Sequence, residues 1–215
     1  MVLSTVFNLA LRVLRIVFAP WSATYGPIKS LLNAPSDPEK DYLTAAWRDR
    51  KLSELSFVGI TCALMAGVIS SSFSWQTVSQ APWSTTASWY GSLALDLAAI
   101  CMATQQGVAL NRLSCYVDGP ARIRSLLGVP PAVATGTIYP RWSQLYVWQT
   151  PIMLLNFSIF FYTMGLAILV FDALIRGDRL DGEVKTAILF GTVGSFAALN
   201  YISCTFLLYK QSIPD

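Results

Sequence analysis

Hydrophobic positions in this chain gather into long runs rather than short alternating segments. From Leu55 to Trp75 (LSFVGITCALMAGVISSSFSW) there is no charged residue in 21 positions. A helix of that length covers the roughly 30 Å of a bilayer's hydrocarbon core. A second run, about 89–110, is interrupted only by Asp96. A third, about 146–171, carries Pro151 in its first turns, where a kink is expected. A fourth spans about 186–209. The alternation that a membrane barrel needs is absent. The pattern predicts an all-α, polytopic membrane protein with four transmembrane helices.

The segment before these runs has a different rhythm. In VLSTVFNLALRVLRIVF the polar residues Ser4, Asn8, Arg12 and Arg15 recur at helical spacing on one narrow face. This predicts an amphipathic helix lying in the membrane interface, its arginines toward the headgroups. A cleaved mitochondrial presequence is the alternative, because arginine is present and no acidic residue precedes Asp37. A secretory signal would place its positive charges ahead of the apolar run. Pro20 to Pro38 reads as a connector. Residues 37–51 read as a short polar helix running into the first span, with Pro38 at its start. The expected organisation is a cytosolic and interfacial region, 1–54, followed by a transmembrane domain, 55–210.

Composition supports the membrane class. Of 215 residues, 54% are hydrophobic and 13% charged, against about a quarter charged in soluble domains. The net charge of +3 sits beside the spans, so nucleic acid is not an expected partner. There is no histidine, which removes the commonest general base and the usual zinc, copper and haem ligand. Cys62, Cys101, Cys115 and Cys204 form no CxxC pair, and three lie in predicted spans; buried small hydrophobes are expected. No metal, cofactor or catalytic residue is predicted, and an enzyme is not expected.

Charge asymmetry orients the spans. Seven basic residues precede the first span: Arg12, Arg15, Lys29, Lys40, Arg48, Arg50 and Lys51. The loop 76–88 has no charge. The next loop has Arg112, Arg122, Arg124 and Arg141, the third balances Arg176, Arg179 and Lys185 with three acids, and the tail has Lys210. Both termini are therefore expected in the cytosol, with the plasma membrane first and a mitochondrial membrane as alternative. Trp75, Trp83 and Trp89 would mark one interface, Trp47, Trp142 and Trp148 the other.

Polar residues inside apolar runs carry the candidate chemistry. Asp96 shares a helical face with Ser92, Ala99, Ala103 and Gly107, where another helix can approach closely. It is read either as an ion- or proton-handling carboxylate or as a hydrogen-bonded link between helices. Asn156 and Asn200 are read as interhelical hydrogen-bonding amides. In the first span, Gly59, Ala63, Gly67 and Ser71 form a small-residue ridge for helix packing. A second stripe, Glu54, Phe57, Thr61, Met65, Val68 and Ser72, is the candidate pore lining, with a hydrophobic middle that would gate by dewetting.

The basic helical approach RDRKLSELSFVG, the Gly/Ala-rich first span and the four-span plan with both ends inside resemble the Orai-type calcium-release-activated channels. The resemblance covers about residues 45–210 and implies a homo-oligomer around the first helices. Where that family places an acidic filter residue, this chain has Ser70, Ser71, Ser72 and Ser74, so calcium selectivity is not implied. KLSELSFVG and QLYVWQTP also resemble uncharacterised four-span proteins of filamentous fungi. The expectation is an oligomeric channel lined by the first span. The alternative is an accessory scaffold that docks other membrane proteins.

Overall fold

The computed structural model describes residues 24–129, 136–176 and 182–210. The N-terminal amphipathic helix expected over residues 2–18 lies outside them. Six α-helices follow in chain order: α1 over residues 24–32, α2 Asp37–Ser72, α3 Trp83–Ser114, α4 Gly119–Leu127, α5 Trp142–Arg176 and α6 Gly182–Lys210. A 3-10 turn, Gln76–Gln80, joins α2 to α3. Three of these helices, α2, α3 and α5, are long and apolar enough to cross a membrane.

The polar segment before the first apolar run and that run itself form one helix of 36 residues. The Ser36 hydroxyl accepts the Glu39 N–H at 3.4 Å, and Asp37 and Glu39 place negative charge in the first turn, where the helix dipole favours it. The helix stops among serines. Ser71 and Ser72 donate their hydroxyls to the Val68 carbonyl, and Ser74 donates to Ser71. Such local side-chain bonds to the backbone compete with the helical ladder and favour its end.

Part of the expected connector is helical. Within α1, Ile28, Leu31 and Leu32 are buried; their spacing of three and four places them on one face. The prolines nearby punctuate this helix instead of preventing it. In α5, Pro151 sits inside a continuous helix of 35 residues.

The chain divides into two compact units. In the first (up to Glu54, Gln106–Gln149 and from Thr205), the core holds Ile28, Leu31, Leu32, Leu110, Ile123, Leu127 and Leu145. The Asn33 amide donates to the Ile138 carbonyl and accepts the Ile138 N–H, both at 2.8 Å. Gly128–Val129 and Tyr139–Pro140 form a two-residue antiparallel pair. A Cβ on Gly128 would lie 2.8 Å from Ile138 and 3.2 Å from Leu32, so glycine lets these segments close. Arg124 reaches Asp41 at 2.5 Å and Thr44 at 3.4 Å. Trp148, edge-on to Trp47 at 5.6 Å, is only 3% exposed.

In the second unit (Leu55–Gln105 and Thr150–Cys204), Ile69, Trp89 and Tyr162 form the core, with Met65, Phe73, Val78, Leu93, Leu166 and Leu169 packed around them. Trp89 and Trp148 are thus interior residues, not interface anchors. Trp83 and Trp142, 83% and 69% exposed, keep an outward position.

Candidate functional site

α2, α3 and α5 build a seam of polar side chains within the second unit. α5 turns Leu155, Ser158, Tyr162 and Gly165 inward, a spacing of three and four that draws one face of a helix. Opposite them, α3 buries Ser92, Asp96, Ala99 and Ala103, and α2 buries Cys62, Ile69 and Ser72. The expected small-residue face of α3 is the closed one. Gly107, expected on the same face, meets nothing within 4 Å of a built Cβ.

Three contacts define the seam. The Ser72 hydroxyl and the Tyr162 hydroxyl are 3.0 Å apart. Ser92 donates to the Ser158 carbonyl at 2.7 Å and lies 2.8 Å from the Ser158 hydroxyl. Asp96 follows one turn further along α3, with Ser158 and the Cys62 thiol as its polar neighbours. Its side chain has no solvent exposure. Neither carboxylate oxygen is held in hydrogen-bonding geometry among the described residues.

A buried carboxylate without partners is an expensive group. No Lys or Arg occurs in the apolar stretches 55–75, 89–110 and 146–171, so no side chain there supplies a counter-charge. The arrangement can hold a proton or accept a cation. Among the described residues no cluster of His, Cys, Asp or Glu could hold a metal ion.

Gly165 makes room for this arrangement. A Cβ at Gly165 would lie 2.6 Å from the Trp89 ring and 3.2 Å from Ser88. Trp89 therefore occupies the space a side chain would take, ringed by Phe73, Trp75 and Tyr162 at 5.7–6.0 Å between centroids.

The other sequence candidates fall elsewhere. In the expected pore stripe, Glu54 pairs with the buried Lys51. Phe57 and Val68 are 66% and 47% exposed, Thr61 and Met65 are half-buried, and Ser72 is buried. The ridge of α2 is open: Ala63, Gly67 and Ser71 are exposed, and a Cβ at Gly59 or Gly67 would meet nothing within 4 Å. Asn156 and Asn200 are both exposed. Asn200 donates to the Phe196 carbonyl of its own helix at 2.8 Å. Of the cysteines only Cys62 is buried; Cys101, Cys115 and Cys204 are exposed, because their positions fall on outward faces.

No family model, curated protein or solved structure matches this chain. Ser158, Tyr162 and Gly165 were not among the sequence candidates. Their signal was the same three-and-four spacing that drew attention to Asp96, hidden in a run where nearly every residue is apolar.

Proposed function

We propose that this chain is an integral membrane protein of four spans, α6 being the fourth, with both termini in the cytosol of a plasma-membrane protein. Copies assemble through the outward face of α2 and form an ion-conducting pore along that helix. The plan follows that of the Orai-type channels without their acidic filter. The observation that carries the proposal is the unused ridge of α2. Small residues on a membrane helix allow close backbone approach, and a Cβ at Gly59 or Gly67 meets nothing within 4 Å among the described residues. Lipid tails pack poorly against such a groove, and another helix packs well.

The test is reconstitution of the full chain in liposomes, with subunit counting and ion flux measured on the same preparation. The expected result is a closed oligomer with flux, and loss of both in Gly67→Leu. A monomer in lipid would overturn the pore.

One observation favours a second reading, a scaffold. Ser72 is committed to Tyr162 inside the chain, so the exposed members of the stripe, Phe57 and Val68, are apolar. An oligomer that carries no flux under any ion gradient would support the scaffold.

A further inference from the structure

The third apolar run holds a polar side chain that the fold leaves without a partner. Asn156 lies in α5 within about 4 Å of the midpoint of 146–171, at 1.5 Å of rise per residue. It is exposed, and none of its amide groups is hydrogen-bonded among the described residues. Its neighbours on the outward face are Phe157, Ile159 and Phe160, 49%, 37% and 58% exposed. The one other polar member, Thr163, already donates its hydroxyl to the carbonyls of Ile159 and Phe160 at 2.9 and 3.0 Å. Asn200 differs, since it spends one N–H on its own helix. Asn156 therefore presents two donors and one acceptor to whatever lies outside.

Hydrocarbon cannot answer an amide. We infer that the outward face of α5 docks against α5 of a second copy of this chain, with the two Asn156 carboxamides exchanging hydrogen bonds across a two-fold axis. Two features select a second copy over an unrelated helix. A carboxamide is its own complement, offering N–H and C=O from the same group. Copies inserted with one topology also carry Asn156 at the same depth, so the pairing needs no adjustment of either helix. The face has no charge to oppose the approach, and an isologous contact is the commonest form of self-association. The inference rests on the proposed four-span, self-assembling reading, and it concerns a different helix from the pore-forming one.

The experiment is dilution of the fluorescently labelled full-length chain in phosphatidylcholine liposomes, reading self-association by energy transfer. Asn156→Leu should weaken association about tenfold, the scale of a membrane interhelical hydrogen bond. Asn156→Gln should restore most of it, and Asn200→Leu should change it less. In a chain with all four cysteines changed to Ala, Asn156→Cys should give a disulfide between copies on mild oxidation. If Asn156→Leu associates as tightly as the wild type, the inference fails. An assembled Asn156→Cys chain that does not cross-link would equally overturn it, since lipid or another protein would then cover the face. Loss of assembly in Gly67→Leu alone, with Asn156→Leu unchanged, would remove this inference and leave the pore standing.

Discussion

Two faces built from small residues meet different fates in this chain. On α3, Ser92, Asp96, Ala99 and Ala103 are at most 4% exposed, with Ser158 beside Ser92 and with Ser158 and Cys62 beside Asp96. On α2, Ala63, Gly67 and Ser71 are exposed and Gly59 has open space before it. Both have the repeat that allows close helix approach. The difference lies in what stands opposite. α3 faces a helix, α5, that brings hydroxyls and a glycine notch; among the described residues nothing lies within 4 Å of a Cβ built at Gly59 or Gly67 on the α2 ridge. A small-residue repeat alone thus does not say whether a face is closed; what stands opposite decides that.

Two glycines turn this contrast into measurements. Gly165→Leu should have the largest effect, because its side chain would enter the space of the Trp89 ring at 2.6 Å. The expected cost is about 3 kcal/mol or more, at the upper end for overpacking, measured as reversible unfolding in mixed micelles. A stable Gly165→Leu chain would mean that Trp89 can leave its site. Ala99→Leu comes next, at about 1–3 kcal/mol, as an overpacked core position; an unchanged midpoint would show that the α3 face is not closed. Gly67→Leu should leave the unfolding of the single chain within about 0.5 kcal/mol, as for surface positions, while reducing self-association. If it destabilises the isolated chain as much as Ala99→Leu, the two faces are alike and the comparison falls.

A small change in stability is also expected at Asp96. Asp96→Asn keeps the volume of the side chain, and no described hydrogen bond is lost, so the shift should stay within about 1 kcal/mol. Its effect should appear in function, as flux whose dependence on pH is reduced. Flux with an unaltered pH profile would remove the carboxylate from ion handling.

Much of the architecture was readable before the fold. Of the four long apolar stretches, three located helices that are long and apolar enough to cross a membrane, because backbone satisfaction inside lipid leaves few alternatives. The face of α3 around Asp96 was also readable, since a carboxylate amid small residues belongs against protein. The inward face of α5 was not. When almost every side chain in a run is apolar, periodicity loses contrast, and Ser158 and Tyr162 differ too little from their neighbours to mark a side. The tryptophans misled for a related reason. Trp89 stands near the end of its run, where interface anchors also stand, and only the missing Cβ of Gly165 shows that the ring turns inward. The connector misled because proline and serine outweighed Ile28, Leu31 and Leu32, three residues that suffice to bury one face of a short helix.

The burial of Trp89 also has an optical meaning. Its indole is fully enclosed, with Phe73, Trp75 and Tyr162 as its ring neighbours, whereas Trp83 and Trp142 lie largely open. A collisional quencher dissolved in water or carried on a lipid chain will therefore darken the open indoles first and leave a residual emission that belongs to the sealed ones. That residue of light is a built-in gauge of the seam. It will persist while α5 keeps its notch closed over Trp89, and fade when the helices part.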